Sequence, residues 1–206
     1  TWGRNNSALE DTAFTGALQA NVQNPSDEAI AWRRYLLACS ACHAIHLEGD
    51  FVECGVYLGT GMKTVIDYFG RERFGKTFWG YDTFDYHPTQ GHGFEGQQEG
   101  LFQKVQERFA DYPQVRLVKG FLPDAFAQGC PEKIAYLHID LNNAEGEIAS
   151  LDHLWDRIVP GGMVVLDDYE WSGIYREQKR TEDLWFQQRG HRVFPLPTGQ
   201  GFVIKR

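Results

Sequence analysis

The chain has 206 residues, of which 42% are hydrophobic and 14% aromatic, and its formal net charge is −8 at pH 7. This length and apolar content suit one domain with a sizeable core. The Lys and Arg residues are scattered along an acidic chain, which argues against nucleic acid as a partner and favours a neutral or cationic small molecule. No apolar run approaches the roughly 20 residues of a membrane span, and no signal peptide is evident, so we expect a soluble, cytoplasmic protein with no membrane partner.

The sequence leaves open a homo-oligomer and, because it does not begin with Met, a longer parent chain. Its four cysteines, Cys39, Cys42, Cys54 and Cys130, are too few and too irregularly spaced for the disulfide framework of a small secreted domain, so we expect reduced thiols. The string from Cys39 to His43 reads C-x-x-C-H. On a continuous helix these side chains share one face and cannot surround a metal, which disfavours zinc or haem.

The predicted elements begin with an N-terminal arm over residues 1–24, which shows no firm periodicity, and continue with a single domain over residues 25–206. Helix-start residues at 25–27 open a helix that precedes the first strand. DFVECGV at 50–56 is a short apolar run typical of a buried parallel strand, and a glycine turn and a helix follow it.

The same alternation continues to the end of the chain. Further strands are predicted at 77–82, 115–120, 133–141 and 162–168. After a helix near 176–188, the segments 191–197 and 201–206 flank the turn-forming TGQG and predict an antiparallel hairpin. We therefore expect an α/β fold with a Rossmann-like, seven-stranded and mostly parallel sheet, helices on both faces, and a C-terminal antiparallel hairpin.

Residues 84–98 form a segment rich in Gly, His and aromatic residues that is too long for an ordinary connection. A segment of this kind is typical of a lid or binding loop, and a plain surface loop is the alternative.

The glycines that follow the first strand predict a ligand site. They let the backbone turn sharply and approach a ligand, but they do not spell G-x-G-x-x-G, which disfavours a nicotinamide cofactor. Glu53 followed by spaced glycines is instead the pattern that cradles the amino-acid part of S-adenosylmethionine. Asp82 ends the second strand, where an acidic residue can accept both ribose hydroxyls. The predicted cofactor contacts are Glu53, Gly55, Val56, Tyr57, Gly59, Gly61, Asp82, Phe84, Gly120, Phe121 and Asp140.

Two of these predictions have structural alternatives. The alternative for Asp82 is a turn or helix-cap residue, which the preceding glycine pattern disfavours. Phe121 stands where an aromatic group could meet the adenine ring, and an ordinary core position fits it as well.

Carboxylates follow the fourth and fifth strands. Asp140 ends one, Asp167 and Asp168 end the other, and adjacent parallel strands bring such ends together. Three converging carboxylates are costly unless protonated or neutralised, and oxygen ligands suit a hard divalent ion such as Mg²⁺. The alternative is a metal-free edge at which Asp168 caps a helix.

A set of longer motifs resembles a known family. From Phe51 to Arg206 the chain contains FVECGVYLGTG, YDTF, VRLVKGFLPD, LHIDL, VPGGMVVLDDY and PLPTGQGFVIK. In this order they resemble the macrocin-type (TylF-like) O-methyltransferases, which are class I S-adenosylmethionine-dependent enzymes that modify sugar hydroxyls of natural products. The resemblance implies Mg²⁺-dependent methyl transfer. It also implies that Asp140, Asp167 and Asp168 hold the metal, and that Glu53, Gly55 and Asp82 contact the cofactor.

The chain departs from the family pattern just after the fourth strand. Family members usually read HIDxD, with the second aspartate a proposed general base, and here that position is Asn142. Ala144 replaces a tyrosine, whereas the matching Glu145 is retained and could bind metal or act as base. The predicted catalytic residues are therefore Asp140, Asn142 and Glu145. The alternatives are a cofactor-binding domain that has lost turnover, a catechol-type phenol O-methyltransferase, and an NAD-dependent oxidoreductase.

Overall fold

The computed structural model describes residues 6–84, 100–171 and 173–206, and the side chain of residue 174 lies outside this description. The predicted lid at 84–98 falls outside the described residues except for residue 84. The helices are α1 (Ser7–Glu10), α2 (Thr12–Asn21), α3 (Pro25–Ala29), α4 (Ala31–Ala44), α5 (Thr60–Phe69), α6 (Leu101–Arg108), α7 (Ala144–Leu154) and α8 (Arg176–Gln188). The strands are β1 (Asp50–Cys54), β2 (Phe78–Asp82), β3 (Val115–Lys119), β4 (Ile134–Ile139), β5 (Ile158–Leu166), β6 (Phe194–Pro195) and β7 (Gly201–Ile204).

The seven strands form one sheet in the order β3-β2-β1-β4-β5-β7-β6. The first five strands are parallel, and β7 runs antiparallel to both β5 and β6. β1 lies inside the sheet because its apolar residues can be buried on both faces, as a parallel strand requires. The predicted seven-stranded, mostly parallel sheet with a C-terminal antiparallel hairpin is confirmed.

Two hydrophobic clusters cover the two faces of the sheet. On one face, Phe51 and Tyr136 pack with residues of α4, α5 and α6, including Met62. On the other face, Leu137 and neighbouring strand residues pack with α7 and α8, whose Phe186 is fully buried. The alternation of strand side chains between the faces therefore produces the predicted helical layer on each side.

The helix predicted before β1 is interrupted at Ile30. α3 starts with Pro25 in its first turn, and the Asn24 side chain caps it by accepting a hydrogen bond from the Asp27 amide at 3.2 Å. Within the predicted arm, α1 and α2 share a hydrophobic cluster with Ala38 of α4. α1 and α2 therefore pack against α4, in the layer of helices beside β1.

All four cysteines are free thiols. In the described part of the chain, no helix is both long enough and apolar enough to span a membrane. The cytoplasmic location stays a prediction.

Candidate active site

The glycine turn after β1 has a backbone conformation that only glycine adopts readily. Gly55 has φ +94°, and a Cβ there would lie 1.8 Å from the carbonyl oxygen of Asp140 at the end of β4. Gly59, with φ +75°, directly precedes α5, and a Cβ there would lie 2.5 Å from the Phe109 ring. The glycines therefore let β1 end tightly against β4 and turn into α5 at once.

Asp82 ends β2 and holds the glycine turn against the sheet. Its Oδ2 accepts hydrogen bonds from the Val56 and Tyr57 amides at 2.8 and 2.7 Å. Its Oδ1 accepts one from the Phe84 amide at 2.7 Å and a longer one from the Thr83 hydroxyl at 3.4 Å. Each carboxylate oxygen has two lone pairs. The backbone thus occupies Oδ2, and a ribose hydroxyl would bind Oδ1 in place of the long Thr83 contact.

An acid and a base converge on Gly61 in the first turn of α5. A Cβ at Gly61 would lie 3.0 Å from Nη1 of Arg34 and 3.3 Å from Oε1 of Glu53. Nε of Arg34 and Oε2 of Glu53 are both buried without a hydrogen-bond partner. The pair suits a zwitterionic amino-acid group. Arg34 is not among the residues predicted from the sequence, although two successive arginines on a helix that packs against the sheet were a usable signal.

The aromatic residues predicted as cofactor contacts occupy different surroundings. The Phe84 side chain is fully buried against Phe102, with ring centroids 4.9 Å apart, and does not line the cleft. Only its amide, bound to Asp82, belongs to the site. Phe121 is 45% exposed and lines the cleft beside Gly120, so it is not an ordinary core residue.

The carboxylates that follow β4 and β5 converge as predicted from the parallel topology. The strand register pairs Ile139 with Leu166, so Asp140 and Asp167 leave the sheet side by side. The Asp167 amide continues this ladder by donating to the Ile139 carbonyl at 2.8 Å. Asp168 follows directly, and both residues after β5 are buried.

Arg33 of α4 neutralises part of this acidic cluster. Its Nη2 donates to the carboxylate of Asp167, to the carbonyl oxygen of Asp167 at 2.7 Å, and to Oδ1 of Asp168 at 3.0 Å. Its guanidinium lies 5.1 Å from the ring centroid of Trp171. Gln200 fixes the cluster from β7's side, donating to Oδ1 of Asp167 at 2.6 Å. Arg33 is not among the residues predicted from the sequence, because its partners lie 134 and 135 positions away.

The charges in the cluster are unevenly balanced. Burial and the charges of Asp167 and Asp168 raise the pKa of Asp140 well above its ordinary value, and burial and Asp167 raise that of Asp168. Burial acts the same way on Asp167, but His138 and Arg33 hold its pKa below the usual range. Burial alone would lower the pKa of His138, yet its contacts with Asp167 at 3.3 Å and Glu53 at 3.7 Å raise it to about 10. The positive charges near Asp140 and Asp168 therefore do not offset the effects of burial and of the neighbouring carboxylates.

The cluster has the donor chemistry of a site for a hard cation. Oδ2 of Asp168 is buried without a hydrogen-bond partner, and ligand atoms of His138, Asp140 and Asp167 lie within 4.8 Å of one another. We assign His138 to Asp167 as an ion-pair partner, because its Nε2 lies 3.3 Å from Oδ1 of Asp167. The carboxylates of Asp140, Asp167 and Asp168 then remain as ligands, and oxygen ligands fit Mg²⁺. Arg33 would compete with the ion for Asp167 and Asp168.

The segment between β4 and α7 carries the remaining predicted catalytic residues. Asn142 has φ +55°, a left-handed conformation that Asn tolerates better than most residues, and its Nδ2 lies 3.5 Å from Oδ1 of Asp140. Asn143 caps α7 by accepting a hydrogen bond from the Gly146 amide at 3.0 Å. This cap places the exposed Glu145 in the first turn of α7, at the border of the cleft.

One cleft of about 710 Å³ joins these groups. It extends from the glycine turn and Glu53 past Asp140 to Asp168, and Tyr175 borders it just before α8. Tyr175 is not among the residues predicted from the sequence, and it lies 33 positions from its hydrogen-bonding partner Asn142. Of the predicted cofactor and metal residues, all but Gly59 and Phe84 therefore line one continuous space.

This fold is that of the class I methyltransferases. The O-methyltransferase NovP has a similar structure, with a TM-score of 0.69 and 20% identity over 84% of this chain and 79% of that chain. The apo structure of CalS11, a TDP-rhamnose 3'-O-methyltransferase of calicheamicin biosynthesis, has a TM-score of 0.63 and 15% identity over 99% of this chain and 96% of that chain.

The chain belongs to the macrocin O-methyltransferase (TylF) family, whose model matches residues 36–180. The resemblance recognised in the sequence motifs is thus confirmed. A similar curated protein is the 8-demethyl-8-(2,3-dimethoxy-alpha-L-rhamnosyl)-tetracenomycin-C 4'-O-methyltransferase of Streptomyces olivaceus, which is 27% identical over 140 residues. This match covers 59% of the present chain and 53% of the relative, so the chain spans about half the length of the curated relative it matches.

Proposed function

We propose that the chain is an S-adenosylmethionine-dependent, Mg²⁺-dependent O-methyltransferase that acts on a sugar hydroxyl of a natural product or glycan. The observation that carries this proposal is that Asp140 belongs both to the glycine turn and to the acidic cluster. Its backbone carbonyl closes the glycine turn at Gly55, and its side chain belongs to the acidic cluster with Asp167 and Asp168. A cofactor seated on the glycine turn would thus lie next to the cluster that polarises an acceptor.

The residues around the glycine turn fit the cofactor. Glu53 complements the ammonium group of its methionine part, Arg34 complements the carboxylate, and Oδ1 of Asp82 is available for a ribose hydroxyl. The methionine part is zwitterionic, so a site with only one sign of charge would leave one of its groups unpaired. The Arg34 and Glu53 pair supplies both signs beside the first turn of α5.

Asp140, Asp167 and Asp168 would hold the divalent cation. When bound, such a cation supplies Lewis acidity that lowers the pKa of a coordinated hydroxyl. Arg33 and His138 both hold Asp167, which orients that carboxylate towards its neighbours. Asp140 and Asp168, whose pKa values are raised, would gain most from an added positive charge.

Methyl transfer forms a bond between the acceptor oxygen and the methyl carbon, breaks the bond between that carbon and sulfur, and releases the hydroxyl proton. Glu145 is the carboxylate placed to take this proton, because it is exposed at the cleft and Asn142 cannot accept a proton at neutral pH. The Asn142 amide offers a hydrogen bond to hold the acceptor. Alignment of the reacting groups is worth roughly 7 to 11 kcal/mol of barrier.

The acceptor can be tested with labelled cofactor and three acceptor classes, namely a sugar glycoside, a catechol and a nucleoside-diphosphate sugar. Transfer to either sugar, stimulated by Mg²⁺ and abolished by chelator, is the expected result. Transfer to catechol alone would replace the sugar with a phenol as acceptor. Binding of S-adenosylhomocysteine without transfer to any acceptor would identify a binding domain, and stabilisation by NAD instead would identify an oxidoreductase.

The metal ligands can be tested with Asp168→Asn, which preserves size and removes a charge. We expect loss of Mg²⁺-stimulated transfer and of the Mg²⁺-induced rise in melting temperature, with adenosylhomocysteine affinity retained. Asp111→Asn is the matched control, because the Asp111 side chain is 86% exposed on the surface. Unchanged Mg²⁺ dependence in Asp168→Asn would exclude this cluster as the metal site.

A further inference from the structure

A second groove, of about 730 Å³, runs between α7 and the start of α8. It is continuous with the cleft, because Asn142, Asn143, Glu145 and Tyr175 line both. The groove therefore begins where the acceptor hydroxyl would react and leads away from the cofactor. This space would hold the part of a larger acceptor that does not react.

The polar lining of the groove is acidic or uncharged. Its carboxylates come from Glu145, Asp152 and Glu177, and Gln178 and Thr181 add an amide and a hydroxyl. Among the described residues that line it, none is Lys, Arg or His. Hydroxyl groups pair well with amides and carboxylates, so the lining suits a polyhydroxylated ligand.

Two arginines beside this lining are already paired with its carboxylates. Arg180 donates to both carboxylate oxygens of Glu177 at 2.8 Å, and Arg189 donates to Asp152 at 3.0 Å. These pairs reduce the negative charge of the groove, and neither arginine is among the described residues that line it. Glu145 in the first turn of α7 adds its charge at the junction with the cleft.

Among the residues that the structure describes, the cleft also offers no spare cation on the acceptor side. Of the described residues that line it, Arg33 and Arg34 are the cationic ones. Arg33 is bound to Asp167 and Asp168, and Arg34 faces Gly61 on the cofactor side.

Given the proposed function, we infer that the acceptor is a glycoside without negative charge, seated in the groove between α7 and α8, and that nucleoside-diphosphate sugars are rejected. A diphosphate carries two negative charges and would meet carboxylates with no cation in compensation. Like charges brought together in a binding site disfavour the wrong partner strongly, which provides specificity without any added attraction. A neutral or amino sugar linked to an aglycone meets no such penalty.

The test compares two acceptors that share one sugar, the phenyl glycoside of a 6-deoxyhexose and the nucleoside-diphosphate ester of the same 6-deoxyhexose. We expect kcat/KM for the glycoside to exceed that for the diphosphate by about tenfold or more. Dissociation constants measured in the presence of adenosylhomocysteine should differ in the same direction.

A charge introduced into the groove tests its location. Thr181→Lys should raise the ratio of kcat/KM for the diphosphate ester to kcat/KM for the phenyl glycoside several-fold. Leu184→Lys is the matched control, because Leu184 is 57% exposed on the same helix and does not line the groove. The control should change neither value.

The outcomes separate this inference from the proposed function. Equal or better use of the diphosphate ester by the unmodified protein would overturn the inference and leave O-methyl transfer to sugars intact. An equal gain in Thr181→Lys and Leu184→Lys would overturn the assignment to the groove. Transfer to neither acceptor, with the cofactor bound, would overturn the proposed function and this inference with it.

Discussion

The phenolic hydroxyl of Tyr175 donates a 2.5 Å hydrogen bond to Oδ1 of Asn142. This contact turns the amide nitrogen of Asn142 towards Oδ1 of Asp140, 3.5 Å away. An asparagine at this position cannot remove a proton, but an amide held in one orientation can present a fixed donor to the cleft. Tyr175 is therefore a positioning residue for Asn142.

Tyr175→Phe removes this hydrogen bond and keeps the ring. A hydrogen bond is worth about 0.5–1.5 kcal/mol, so we expect kcat to fall by up to about tenfold. KM for the acceptor should rise less, and adenosylhomocysteine affinity should not change. Tyr68→Phe is the control, since the Tyr68 hydroxyl bonds to Asp11 in the N-terminal helical segment. Loss of melting temperature without loss of kcat would assign Tyr175 a purely structural role.

Asn142→Asp introduces the carboxylate that family members usually carry. General base catalysis contributes typically 10²–10⁴-fold, so we expect an increase in kcat that appears only above the pKa of the new aspartate. Glu145→Gln should lower kcat in the natural background and have little effect in the Asn142→Asp background. The measurement is the pH dependence of kcat in the natural protein, Asn142→Asp, Glu145→Gln and the double variant. Equal effects of Glu145→Gln in both backgrounds would contradict its role as the base.

Gly55→Ala should prevent correct closure of the sheet at the cofactor site. The added Cβ would overlap the carbonyl oxygen of Asp140 at 1.8 Å, and the positive φ adds strain. We expect loss of adenosylhomocysteine binding and a large fall in melting temperature. Gly16→Ala is the opposite case, because Gly16 lies within α2 with no atom within 4 Å of its Cβ, and alanine should stabilise the helix by about 0.5–1 kcal/mol. A tolerated Gly55→Ala would refute this account of the turn.

Two buried glutamates between α7 and α8 should make stability fall as pH rises. Burial and neighbouring carboxylates raise the pKa of Glu147 and of Glu182 well above the ordinary value. The folded protein therefore keeps protons that the unfolded chain releases above about pH 4.3. The contribution of these two glutamates to the free energy of unfolding is fully present below that pH and is lost as pH rises through the folded pKa values.

Glu182→Gln should remove much of this loss, because glutamine cannot ionise. Its melting temperature should exceed that of the natural protein at pH 8 and match it near pH 4. Glu177→Gln is the control on the same helix, since the Glu177 side chain is 58% exposed. Parallel pH profiles of Glu182→Gln and the natural protein would contradict the proposed titration.

Local patterns were sufficient for the strands and for the acidic cluster. Short apolar runs marked β1 to β5, and parallel strands must bring their carboxyl ends to one edge, so Asp140, Asp167 and Asp168 could be placed together before any contact was known. The same reasoning placed Glu53 and Asp82 beside the glycine turn. These conclusions depend on neighbours in the chain and on sheet geometry, both of which the sequence encodes directly.

Only the tertiary structure determined how those groups are balanced. Arg33 contacts Asp167, 134 positions away in the sequence. Arg34 lies beside Glu53, and Tyr175 holds Asn142. These contacts form because α4 and the segment just before α8 pack at the same edge of the sheet. Phe84 enters the core rather than the cleft because its ring packs against Phe102. Side-chain partners of this kind follow from three-dimensional packing, and the periodicity of the sequence contains no signal for them.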